Sequence, residues 1–212
     1  MISPAEALER LRTGNRRFVE NARDSAALAH EARRAQLVDG QEPFAIVLGC
    51  SDSRVPAELV FDQGFGDLFV IRVAGNIVAP SQVGSVEFAA ARFGTPLVIV
   101  LGHSRCGAIL ATLEALRQPM AGGAFRNLRS IVDRIRPSVE PLLKTEIAAH
   151  PEGLIGAAVR ANIRASAAHL RSGSEILENL IQAGRLAVVG AEYSLDTGRV
   201  EFFDGADAPP RA

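Results

Sequence analysis

The sequence predicts an α/β fold: a mostly parallel central sheet of four strands plus a short antiparallel edge strand, flanked by helices and preceded by an N-terminal helical arm. Three observations predict it. Short apolar runs rich in β-branched residues recur along the chain, each ends in a Gly-bearing or polar turn, and longer helical patterns separate them. Continuous rather than alternating apolar runs mark strands covered on both faces, as parallel sheets are.

The elements follow in order. Ser3-Pro4-Ala5-Glu6 supplies an N-cap serine and a proline at the first helical position, so an amphipathic helix begins there and runs to about Val19. A second helix is expected from about Asp24 to Val38, and the two form an arm over residues 1–39. Strands are expected at Phe44 to Gly49, Leu68 to Val73, Leu97 to Gly102 and Leu186 to Gly190. A short fifth strand, Val200 to Phe203, follows the turn-forming Asp196-Thr197-Gly198, which is brief enough for an antiparallel hairpin. Ser81 to Phe93, opened by Pro80-Ser81 and closed by Gly94, and Gly107 to Arg117 are the crossover helices. From Phe125 to Gln182 the periodicity is helical, interrupted at Pro137, Pro141, Pro151 and Ser172-Gly173-Ser174. No repeat or linker divides the chain, so residues 1–212 are expected to form a single domain with its α/β core at 40–212.

Composition narrows the function classes. With 48% hydrophobic and 22% charged residues among 212, the chain can bury a core, which excludes a disordered or fibrous protein. Its 23 basic and 24 acidic residues give a net charge of -1, so no global field attracts nucleic acid or an anionic membrane. The apolar runs are shorter than the ~20 residues of a membrane span, and the most apolar of the long stretches, Gly153 to Leu170, carries Arg160 and Arg164. Met1 to Glu20 lacks the apolar segment of a signal peptide, and a cytoplasmic location is expected. Cys50 and Cys106 are the two cysteines, too few for a disulfide framework and suited to reduced thiols with a chemical or metal-binding role.

Cys50 follows the first strand in Gly49-Cys50-Ser51-Asp52-Ser53-Arg54, and His103 follows the third in Gly102-His103-Ser104-Arg105-Cys106-Gly107. Both segments therefore fall at the C-terminal edge of the sheet, where open α/β folds build their ligand sites. Two thiolates and an imidazole suit Zn²⁺, and three protein ligands leave a fourth position for water, as catalytic zinc sites do. The rival reading makes one cysteine a nucleophile with His103 as its base, which leaves the other thiol without a task. Asp52 and Arg54, two residues apart, can face the same way and pair, the arginine holding the carboxylate ionised; alternatively, Asp52 caps a turn.

C-S-D-S-R at Cys50 to Arg54 together with G-H-S-R-C-G at Gly102 to Gly107 resembles the β-class carbonic anhydrases. The resemblance extends over nearly the whole chain, through S-P-x-E-A-L at the N-terminal helix, G-D-L-F-V-I-R-V-A-G-N at Gly66 to Asn76 and G-S-V-E-F at Gly84 to Phe88. It implies reversible hydration of CO2 to bicarbonate and a proton, by attack of zinc-bound hydroxide on CO2. It further implies one Zn²⁺ per chain on Cys50, His103 and Cys106, with Asp52 and Arg54 as a catalytic dyad that orients the nucleophile. In some relatives the corresponding Asp turns away from its Arg as pH falls and becomes the fourth zinc ligand of a closed state, while others stay open; the sequence does not choose between these for Asp52. Gln41, Phe69, Ala74, Phe88 and Gly107 fall on positions that line the family's narrow substrate cavity. A homodimer or higher homo-oligomer is implied, in which Gln41, Phe69 and Phe88 belong to a cavity shared between subunits. Phe88 stands where some members carry Tyr, and Val73 interrupts the R-N-A-G-N run of many relatives. The chain has no Trp, so the Trp-containing non-catalytic bicarbonate site of one subgroup is not expected. Two thiolates donate more charge to zinc than two imidazoles, so activity is expected to favour alkaline pH. Relatives with the same ligands process COS or CS2, and the ligand set alone does not choose among these linear molecules.

Overall fold

A computed structural model describes residues 2–22, 31–117 and 127–206. Helix α1 (Pro4–Val19) starts as its sequence dictates: Ser3 Oγ accepts the Glu6 N–H, and the Glu6 carboxylate accepts the Ser3 N–H at 2.7 Å. Of the second predicted helix, Glu31–Gln36 (α2) is observed and a turn follows it; its start, from Asp24, lies outside the described residues, as does His30.

Five strands form one sheet: β1 (Ala45–Gly49), β2 (Leu68–Arg72), β3 (Leu97–His103), β4 (Ala187–Tyr193) and β5 (Val200–Asp204). Their order is β2-β1-β3-β4-β5; the first three pairings are parallel and β4 with β5 is antiparallel. The period of two divides the strands between two cores. Ile46, Leu48, Val98, Val100 and Val188 pack on one face under α4 (Pro80–Phe93), α5 (Gly107–Arg117), α6 (Arg129–Val139), α7 (Pro151–Ser172) and α8 (Glu175–Gln182). Ala45, Val47, Leu97, Ile99, Leu101 and Val189 pack on the other, under α1 and the single-turn helix α3 (Ala57–Val60).

The N-terminal helix is fastened by close contact and by one buried amide. A Cβ at Gly14 would lie 1.8 Å from the Phe61 carbonyl oxygen, so only glycine lets α1 approach that backbone. The Asn15 side chain donates to Val60 O at 3.1 Å and Gly198 O at 2.9 Å, and its Oδ1 accepts the Val200 N–H at 2.9 Å, which joins α1 to the β4–β5 hairpin.

Three differences from the sequence expectation have physical reasons. β4 runs on past Gly190 to Tyr193, because Glu192 is accommodated by Arg160, whose Nε lies 2.8 Å from it. Pro137 lies within the last turn of α6 and does not interrupt it: a helix already ending loses little from one missing N–H. The helix α3 and a 3₁₀ turn at Ala74–Asn76 are too short to leave a periodic signal. No described helix is long and apolar enough to cross a membrane.

Candidate metal centre

β1 ends at Gly49, one residue before Cys50, and β3 runs through His103; the two strands pair in parallel, with Gly49 opposite Leu101. The backbone beyond them delivers Cys50, His103 and Cys106 to one point, where their ligand atoms lie within 4.8 Å of one another. All three residues are buried, His103 completely.

The histidine's orientation fits a metal. Its Nδ1 lies 2.9 Å from the Ser104 carbonyl oxygen, which can only accept, so Nδ1 carries the proton and Nε2 presents a lone pair. That Nε2 is buried with no hydrogen-bond partner, the condition expected of an imidazole built to bind an ion. Ser104 is itself braced by the hairpin: its N–H donates to Tyr193 O at 3.0 Å and its Oγ accepts the Leu195 N–H at 2.9 Å. Arg105, at φ 54°, turns the chain towards Cys106 and pairs with Asp196 at 3.0 Å.

The two buried sulfurs are coupled: their mutual hydrogen bond, with the Gly75 N–H 3.4 Å from Cys50 Sγ, draws the Cys50 thiol down, while the neighbouring sulfur and burial push the Cys106 thiol up. A divalent metal displaces both protons, since a coordinating thiol ionises outright. The donor set, two sulfurs and one imidazole nitrogen, suits Zn²⁺.

Beside this cluster Asp52 is locked. Arg54 Nε and its backbone N–H each donate to Asp52 Oδ1 at 2.9 Å, and Arg54 Nη2 donates to Oδ2 at 2.7 Å. The guanidinium therefore holds the Asp52 carboxyl well below the usual carboxylate range. Asp52 Oδ2 lies 3.8 Å from His103 Nε2, so the locked carboxylate stands at the edge of the metal cluster.

The remaining sequence-predicted positions divide. Gly107 follows Cys106 at the start of α5, and Ala74 opens the 3₁₀ turn. Phe69 on β2 meets Phe88 and Phe93 of α4, with centroids 6.3 and 6.2 Å away, and Phe88 and Phe93 stack edge to face at 5.4 Å. Phe88 is 54% exposed. Gln41 lies in a cleft of about 600 Å³ with Leu37, Val38, Phe65 and Phe93, whose lining includes none of the three metal-ligand candidates. Within one chain, then, the cleft that holds Gln41 is separate from the cluster, whereas Phe69 and Phe93 pack against the core that contains Cys50 and Cys106.

Sequence reasoning missed Asn162 and Ser166. Both are buried on α7; Asn162 Nδ2 donates to Gly75 O at 2.7 Å and Ser166 Oγ to Asn76 O at 3.0 Å. They hold the turn whose Gly75 N–H reaches Cys50 Sγ. The available signal was two polar residues four apart on an otherwise apolar helix face.

A mostly parallel sheet carrying a buried Cys/His/Cys cluster at its C-terminal edge, beside an arginine-locked carboxylate, defines an α/β protein with a site whose residues could hold a metal ion. A family model described as carbonic anhydrase matches residues 45–200. Over 206 residues the chain is 37% identical to carbonic anhydrase 2 of Mycobacterium tuberculosis, spanning 95% of this chain and 94% of that protein. It is 38% identical over 200 residues to the carbonic anhydrase of Mycolicibacterium smegmatis, spanning 94% and 93%. Among solved structures, the β-carbonic anhydrase CcaA superposes with a TM-score of 0.71 at 28% identity, over 93% of this chain and 91% of that one. The chain belongs to the β-carbonic anhydrase family, whose enzymes hydrate carbon dioxide.

Proposed function

We propose that this chain catalyses reversible CO2 hydration with one Zn²⁺ held by Cys50, His103 and Cys106, and with Asp52 and Arg54 orienting the nucleophile. The observation that carries this reading is the buried, unpartnered His103 Nε2 facing two thiols, with a carboxylate fixed alongside. Zinc bound there supplies a Lewis acid that makes a hydroxide nucleophile available from water. Asp52, ionised and acceptor-only, takes the nucleophile's hydrogen bond and so aims its lone pair at the carbon. Three hydrogen bonds from Arg54 keep that acceptor from rotating, and this paired geometry favours the open arrangement over one in which Asp52 closes the site. With its carboxyl held so low, Asp52 does not store the released proton near neutrality, and the proton passes to water or buffer.

Ala74 and Gly107, directly beside the ligand-bearing segments, line the approach to the metal, and Gln41, Phe69 and Phe88 complete the cavity of a partner subunit. Two features support an oligomer: β2 is an edge strand of the sheet, and Phe88 is exposed within an aromatic trio. The chain acts as one catalytic domain with its N-terminal arm, in a reducing cytoplasm that keeps both buried cysteines out of disulfides and available to the metal.

The test is zinc content and CO2 hydration rate on one purified sample, with COS assayed in parallel. Stoichiometric zinc with rapid CO2 hydration supports the reading. Full zinc loading without hydration across alkaline pH overturns it, and turnover of COS alone reassigns the substrate.

A further inference from the structure

We infer that Arg72 is a positioning residue for this reaction: its guanidinium ties the Cys50 and Asp52 carbonyls to the sheet and so fixes the Asp52 carboxylate relative to the metal ligands. The inference rests on Asp52 orienting the nucleophile. Arg72 is the last residue of β2, opposite Gly49, the last residue of β1. The Val73 N–H donates to Gly49 O at 3.1 Å, and beyond that bond the segment from Cys50 onward leaves the ladder. Arg72 Nε donates to Cys50 O at 3.0 Å and Arg72 Nη2 to Asp52 O at 2.6 Å. One rigid planar group thus spans two carbonyls on either side of the exposed Ser51.

The Asp52–Arg54 pair cannot do this alone. Arg54 lies two residues along the same loop and is 54% exposed, so the pair sets the carboxylate's orientation within the loop and travels with it. Arg72 belongs to a strand and supplies the external reference. Cys50 has independent restraints, the end of β1 before it and the Gly75 N–H on its sulfur. Loss of Arg72 therefore falls on Asp52 more than on the metal. Because Arg72 is exposed at the strand end, replacing it opens no cavity.

The experiment uses zinc-loaded Arg72→Gln and Arg72→Lys, each alone and combined with Asp52→Asn. Arg72→Gln should speed amide hydrogen exchange at residues 51–55 by ~10-fold while residues 46–48 of β1 keep their protection. It should lower kcat by ~10- to 100-fold, the scale of a misplacement near 1 Å, with KM for CO2 and the rate of zinc loss to a chelator little changed. Arg72→Lys, which keeps the charge and makes one of the two bonds, should recover part of both effects. In the Asp52→Asn background, Arg72→Gln should change kcat less than ~2-fold, since the group it positions is gone. Unchanged exchange at 51–55 overturns the inference. So does an equal kcat loss in the Asp52→Asn background, or a kcat loss matched by faster zinc release. Absence of CO2 hydration in the parent protein overturns the proposed function instead, while the exchange data still decide whether Arg72 holds the loop.

Discussion

Gly75 meets three constraints at once, and Gly75→Ala measures them. Its φ is +69°, in the left-handed region where an L-residue costs about 1–2 kcal/mol. An added Cβ would lie 2.8 Å from Ile135 Cδ1 and 3.0 Å from Ala108 Cβ, an overpacking of the kind that costs about 1–3 kcal/mol. Together the substitution should destabilise by about 2–5 kcal/mol, a large share of the ~5–15 kcal/mol of an ordinary domain. Gly184 is the control: its φ is +67°, but an added Cβ meets nothing within 4 Å, so Gly184→Ala should cost only the backbone part, about 1–2 kcal/mol. Relief of the clash also moves the turn and its N–H away from Cys50 Sγ. The extra stability that zinc confers should therefore shrink in Gly75→Ala and persist in Gly184→Ala. The assay is denaturant unfolding of each protein, zinc-loaded and chelator-treated. A Gly75→Ala cost no larger than that of Gly184→Ala, with the zinc increment intact, would refute both the packing and the ligand-tuning argument.

Further outcomes are expected at the site and at the sheet edge. Cys106→Ser replaces a thiolate with a poor zinc ligand and should strip most of the metal and the activity together; a fully loaded, active variant removes Cys106 from the ligand set. Hydration should rise with pH above about 7, because the active nucleophile is deprotonated and two thiolates acidify it less than the three histidines for which that value holds. Asp52 adds no limb to that profile. A depressed carboxyl contributes its stability above the ordinary value of about 3.9 and loses it only as pH falls through the lowered one, so a rate that falls with rising pH contradicts the scheme. In sedimentation the chain should run as a dimer or larger, and Phe88→Asp should shift it towards monomer; an active parent monomer at assay concentration rejects the shared cavity.

The strands were legible because their apolar runs are long enough to be covered on both faces, and Cys50 and His103 were legible because each directly follows such a run. Pairing of Asp52 with Arg54 was likewise readable, being decided by neighbours two residues apart. What escaped depends on contacts distant in sequence. Asn162 is an ordinary polar residue until α7 is laid across the turn at Gly75, 87 positions away. Ser104 is a motif letter whose two hydrogen bonds to the hairpin exist only once β4 lies beside β3. Gln41 illustrates another limit: its sequence position suggests a cavity beside the metal, whereas the cleft that holds it within one chain is lined by none of the three metal-ligand candidates.

The pairing of β1 with β3 also sets when in the life of the chain a metal can be captured. A chain growing from its N-terminus that has delivered β1 and β2 presents one thiol, Cys50, and no grip on an ion. The other two ligand candidates arrive with the end of β3, and the turn behind Cys50 is not fastened until α7 follows. Parallel pairing between such distant segments is slow, since loop closure comes before any contact rewards it. Metal uptake should thus mark completion of the sheet's centre and not nucleate it, the reverse of a zinc finger, where the ion organises an otherwise unfolded chain.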